Sequence, residues 1–147
     1  MSIKLNENME ADNTNQNIQS PKVSVNVIID KGAGLIILAK SNDNPNWSLP
    51  GGILCQTKSA EEAAIEYAKA ITNLDVELIK QFHVYSNPNR DPESNTISIT
   101  FVAKVLSGEQ KVGSTFSELS DGHQMNIPEN LYLDHKQIIE DYFLQRY

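Results

Sequence analysis

Cysteine is nearly absent. Cys55 is the one cysteine in 147 residues, which excludes an intrachain disulfide and any zinc site built on cysteine pairs. Long apolar runs are missing too. No stretch approaches the ~20 apolar residues of a membrane-spanning helix, and "MSIKLNENMEADNTNQ" lacks the apolar core of a secretory signal. Basic charge is scarce, with 12 Lys and Arg against 19 Asp and Glu and a net charge of −7. That sign disfavours nucleic acid and anionic membranes, which both reward basic surfaces. The expectation is a cytoplasmic protein with neither kind of partner. A nucleotide ligand stays open, because one local cluster of Lys or Arg can hold a phosphate on an acidic protein.

What remains is ordinary globular material, 39% hydrophobic and 21% charged. It is enough for one domain with a core and too short for two. Residues 1–21 are polar and rich in asparagine (Asn6, Asn8, Asn13, Asn15, Asn17) and read as a disordered tail, with the folded domain expected over 22–147. In "KVSVNVIID" (Lys22–Asp30), Val23, Val25 and Val27 alternate with polar neighbours, the period of a half-buried strand. "LIILAK" (Leu35–Lys40) is apolar on both faces and reads as a central strand. Further strands are expected over Val76–Ser86 and Ile97–Leu106, while 107–128 carries no clear pattern. Ser59 and Glu62 form a capping box that starts a helix running to about Thr72. Asp134 and Gln137 form a second cap, before a helix with Ile138, Ile139, Tyr142 and Phe143 on its buried side. Strands and helices mix without regular alternation, which predicts an α/β sandwich with a mixed sheet.

The stretch "WSLPGGILCQTKSAEEAAIEYAKAITNL" (Trp47–Leu74) reads as strand, glycine loop and capped helix, a common way to offer backbone N–H groups to a phosphate. Within it, "GILCQTKS" (Gly52–Ser59) falls one glycine short of the P-loop pattern. Thr57 stands where the loop must turn, and the repeating β-α units of that fold are lacking, so the match is a coincidence. The run "LPGG", the helix ending in "TNLDVEL", and the later "VYSNPNRDP…ISITFVAKV" and "LDHKQIIEDY" resemble the Nudix hydrolases, in their ADP-ribose pyrophosphatase-like branch. The resemblance spans most of residues 22–147 and implies a Nudix-like α/β/α sandwich with a mixed β-sheet. It also implies hydrolysis of a nucleoside diphosphate derivative with magnesium or manganese.

Laid on the family signature G-x5-E-x7-R-E-U-x-E-E-x-G-U, Gly52 takes the first glycine and Ala68 and Leu74 the aliphatic positions. Lys58 falls on the first Glu, Glu66 on the Arg, Tyr67 on the Glu beside it, and Ala70 and Ile71 on the paired glutamates. Asn73 replaces the last glycine, a mild change because asparagine also tolerates the left-handed conformation. A magnesium ion wants oxygen ligands in tight octahedral geometry, and positions 67, 70 and 71 offer a phenol, a methyl and a sec-butyl group. Efficient hydrolysis is therefore not expected. The leading expectation is a domain that binds an ADP-ribose-like nucleotide, or acts in regulation, with Gly51, Gly52, Lys58 and Arg90 as ligand contacts and no cofactor.

Two alternatives stand beside it. A weak hydrolase would place Mg²⁺ or Mn²⁺ with Glu62, Glu66 and Glu93, which otherwise read as solvated acids, the first two favoured by the helix dipole. An interaction module would use the stripe Ala60, Ala63, Ala64, Tyr67, Ala68 and Ile71, on the helix face of residues 59–72, as a homodimer or partner surface. Single residues also read two ways. Lys58 is either a direct partner of a diphosphate or an exposed loop lysine. Arg90 is either a phosphate or base donor or the partner of Asp91 in a turn. Trp47 and Tyr85 either stack on a base or belong to the core. His83, His123 and His135 are scattered, Cys55 has no histidine near it, and Asp91 is a further acid near the expected mouth.

Overall fold

The computed structural model describes residues 20–147, so the expected tail lies outside the described residues except for its last two positions. β1 (Lys22–Gly32) and β6 (Thr96–Ser107) form the centre, paired in parallel from Lys22↔Thr96 to Asp30↔Lys104. The other strands join antiparallel: β2 (Leu35–Ser41), β3 (Trp47–Ser48), β4 (Gly51–Ile53), β5 (Asp75–Tyr85) and β7 (Phe116–His123). The sheet path is β3-β2-β1-β6-β5, with β4 on β1 and β7 on β2. One parallel pair among antiparallel ones makes the sheet mixed, as expected.

The alternation of β1 divides its side chains between two cores. Val25, Val27 and Ile29 pack with Phe101 and with Ala63, Ala64 and Ala68 of α1 (Ala60–Thr72). Ile28 packs with Leu38, Val102 and with Ile138 and Ile139 of α2 (His135–Phe143) on the opposite face. The result is an α/β/α sandwich in which both faces of the sheet are covered. Two strands had escaped the sequence pattern. β4, expected as a glycine loop, is too short to show a period, and β7 ("FSELSDGH") is a polar strand paired with β2. No helix among the described residues is long and apolar enough to cross a membrane.

α1 begins and ends as its residues dictate. The Ser59 hydroxyl accepts from the Glu62 amide at 3.1 Å, and Asn73 closes the helix in the left-handed region at φ 66°. Its apolar stripe is not free for a partner: Ala63, Ala64, Ala68 and Ile71 are buried within this chain. The loop before β7 folds over the helix end, where the Lys111 and Gly113 amides donate to the Thr72 and Ile71 carbonyls at 2.9 and 3.1 Å. The expected dimer or partner face at residues 59–72 is thus largely the protein's own core.

α2 departs from expectation at its start. Asp134 sits at the N-cap position but makes no side-chain cap, and the Gln137 amide donates to Asp141 instead. The Asp134 carboxylate is taken by the Arg90 guanidinium, because a forked charge-assisted pair outcompetes a neutral amide donor.

Candidate functional site

The site is organised around β4. Gly51 and Gly52 were expected in a loop that offers amides to a phosphate, yet they lie in a strand paired with Asn26 and Val25 of β1. Gly51 must be glycine because backbone blocks it, and any larger residue at Gly52 must displace a side chain. A Cβ on Gly51 would sit 2.0 Å from the Val25 carbonyl oxygen, and one on Gly52 would sit 2.5 Å from Cζ of Tyr67. The Gly51–Ile53 segment is therefore a thin wall, with the α1 side chains against one side and a polar cavity on the other.

On the α1 side the polar groups are engaged with one another. The Tyr67 hydroxyl donates to the Ile53 carbonyl at 2.7 Å, while its ring lies against Gly52. The Lys58 ammonium is paired with the Glu66 carboxylate, and that bond raises its pKa. Glu62 is held in the capping box, and Ile71 is 2% exposed. Cys55 is exposed, and the Thr57 hydroxyl beside it lowers its thiol pKa. A cavity of about 280 Å³ lies among Ile53, Cys55, Lys58, Glu66, Tyr67 and Ala70. The dication that the family resemblance implies does not fit this donor set. Glu66 already has a cation, Tyr67 offers a phenol bonded elsewhere, and Ala70 and Ile71 offer no oxygen. Glu93 lines the cavity beyond the wall, so Glu62, Glu66 and Glu93 do not form the alternative metal cluster. No group of three or more His, Cys, Asp or Glu among the described residues is arranged to hold a metal.

On the other side lies a cavity of about 440 Å³, bounded by β1, β4, the start of β6 and the segment before α2. Ser24, Asn26 and Ser98 form its polar floor, set by the parallel register that pairs Ser24 with Ser98 and Asn26 with Thr100. The two serine hydroxyls are 2.7 Å apart. Asn26 and Thr100 are 5% and 0% exposed, and Asn26 Nδ2 and Thr100 Oγ1 have no hydrogen-bond partner among the described residues. His135 lines the same cavity and is buried, and that burial pushes its pKa down to about 4. Its Nδ1 accepts from the Leu49 amide at 3.0 Å. The neutral ring therefore carries its proton on Nε2, its remaining donor. Lys22, Asp91 and Glu93 complete the charged lining. Burial opposes the charge on Asp91, but donors from Glu93, Thr96 and Ser94 outweigh it and hold the carboxyl below its ordinary value.

The expected ligand contacts divide. Gly51 and Gly52 line this cavity, whereas Lys58 lies behind the wall with Glu66. Arg90 is 8% exposed and belongs to the fold: it donates to both Asp134 oxygens, at 2.9 and 2.6 Å, and to the Thr96 carbonyl at 3.0 Å. Its partner is Asp134 and not Asp91. Tyr85 is a core residue whose hydroxyl donates to buried Asp141 at 2.8 Å, and Trp47 packs beside the α2 core with Lys40 over its ring. Sequence reasoning missed Ser24, Asn26, Ser98 and His135. A signal existed for three of them, since a central strand covered on both faces has no reason to alternate serine and asparagine with valine. His135 carried none, because its place depends on the Leu49 amide far away in the chain.

No family model matches the chain. A relative does: the ADP-ribose pyrophosphatase of Methanocaldococcus jannaschii is 38% identical over 125 residues, covering 83% of this chain and 73% of its own length. Among solved structures, a Nudix hydrolase from Nitrosomonas europaea superposes with TM-score 0.75 at 22% identity, over 88% of this chain and 73% of its own. The Nudix domain of Shewanella oneidensis NrtR, solved in complex with ADP ribose, superposes with TM-score 0.73 at 18% identity, over 89% of this chain and 92% of its own.

Proposed function

The chain belongs to the Nudix/ADP-ribose pyrophosphatase family, and from that premise we propose that it binds an ADP-ribose-like nucleotide in the cavity beside β4 without efficient metal-dependent hydrolysis. The observation that carries this reading is the occupied α1 side of the wall. There Tyr67 is bonded to Ile53 and Lys58 to Glu66, where the family's mechanism needs free carboxylates. A metal in this family activates a water by lowering its pKa, and a lysine ammonium cannot take over that task. The cavity itself is the right size for part of a nucleotide. Binding by the Nudix domain of NrtR supports ADP-ribose as the first ligand to try.

A second reading, slow hydrolysis through displaced carboxylates, draws support from the activity in the name of the 38% identical relative. Calorimetric titration with ADP-ribose, with and without Mg²⁺ or Mn²⁺ and with product analysis, separates the two. Metal-independent binding without AMP or ribose phosphate is the expected result. Metal-dependent turnover that disappears in Glu66→Gln would overturn it.

A further inference from the structure

The cations that a diphosphate would need are all compromised. Lys58 is paired with Glu66 behind the β4 wall, and Arg90 is buried against Asp134. Lys22 lines the cavity, but Asp91 and Glu93 line it with Lys22. Burial keeps His135 neutral, so it adds no positive charge at physiological pH. One ammonium against two carboxylates leaves the cavity net negative, in a protein whose overall charge is already −7. Its uncharged hydrogen-bonding capacity is large by contrast. The floor holds the Ser24 and Ser98 hydroxyls and the buried Asn26 Nδ2, which has no partner among the described residues. A buried donor left unpaired carries a desolvation cost, which a ligand oxygen that reaches it removes.

We infer that recognition in this cavity rests on the uncharged hydroxyl and carbonyl or ring-nitrogen groups of a nucleoside, and that the diphosphate of a bound nucleotide adds no affinity. The inference rests on the proposed nucleotide-binding reading and narrows it. In this arrangement Asn26 Nδ2 donates to a ligand acceptor, and the serine hydroxyls exchange hydrogen bonds with the sugar. The phosphates lie toward solvent, where repulsion from Asp91 and Glu93 offsets whatever Lys22 contributes.

Charge repulsion has a signature opposite to that of a phosphate grip. Added salt screens repulsion and strengthens binding, whereas it weakens binding that depends on cation–phosphate attraction. The test is calorimetric titration of the full chain with adenosine and with ADP-ribose, without divalent metal, at low and moderate ionic strength. The expected result is that the two ligands bind within about threefold of each other and that ADP-ribose binds more tightly as salt rises. Glu93→Gln is expected to shift the ratio of the two affinities toward ADP-ribose by about threefold, the scale of one partly screened charge. ADP-ribose binding tenfold or more tightly than adenosine, and weakening with salt, overturns this inference and leaves the nucleotide-binding reading intact. Failure of both ligands to bind overturns the reading along with it.

Discussion

The two sides of the Gly51–Ile53 wall are built from similar material and end in opposite states. Against α1, a tyrosine hydroxyl, a lysine and a glutamate are consumed by one another and by the Ile53 carbonyl. Over β1 and β6, a short distance away, Asn26 Nδ2 and Thr100 Oγ1 are buried with no partner among the described residues. Polar groups that saturate each other hold a fold in place and have nothing left for a ligand. Orphaned buried groups beside a cavity carry an unpaid desolvation cost, and a ligand that meets them recovers it. The comparison thus moves the centre of interest from the helix that carries the family's signature to the floor of the sheet.

The largest way to break that comparison is through Arg90. If Arg90 belongs to the fold, removing its partner strands a charge in the interior. Asp134→Ala is expected to lower the unfolding free energy by about 3–5 kcal/mol, as loss of one partner of a buried pair does. Urea titration measures it. A loss below about 1 kcal/mol accompanied by loss of ADP-ribose binding would return Arg90 to the ligand contacts.

That pair also marks where sequence reasoning stops. The capping box of Ser59 and Glu62 and the left-handed turn at Asn73 were legible because each is settled within four residues. The strands β1, β2, β5 and β6 were legible from the local run of apolar residues, alternating in β1 and continuous in β2. Arg90 meets Asp134 across 44 positions, and Asn26 meets Thr100 only through the parallel register of β1 and β6. Periodicity tells which residues share a face but not what covers the face. The polar alternates of β1 therefore looked solvent-facing, and the α1 stripe looked open to a partner.

The second prediction concerns the cavity wall and carries a pH dependence. His135 titrates near pH 6.5 when unfolded and at about 4 when buried in the fold. Between these values the unfolded chain takes up the proton first. Stability is complete above the unfolded pKa and falls as pH drops from about 6.5 to 4. The loss from this one group reaches roughly 3 kcal/mol at pH 4. In His135→Asn, whose amide oxygen can accept from the Leu49 amide as Nδ1 does, the decline between pH 7 and pH 4 is expected to be smaller by about that amount. Equal declines in the two proteins would mean that the ring is reached by solvent and does not form a dry wall.

The sharpest test of the wall itself has the smallest expected effect. Gly52→Ala puts a methyl carbon 2.5 Å from Cζ of Tyr67. The obstacle is a side chain and not backbone, so the ring can move aside. A cost of roughly 1–3 kcal/mol is expected, typical of overpacking. The displaced ring gives up its bond to the Ile53 carbonyl, so the change disturbs the α1 side first. If the two sides are as separate as their hydrogen bonds indicate, adenosine binding on the β1–β6 side survives within about threefold while the unfolding midpoint falls. If binding collapses along with stability, the wall is a single unit. Recognition then depends on the position of Tyr67 as much as on Asn26. Adding Tyr67→Phe decides how the cost arises. A phenylalanine has no hydroxyl to withdraw from Ile53, so the double variant should cost less than the two single changes taken together. Such non-additivity is the mark of two residues in contact, whereas a distant origin would leave the two effects simply additive.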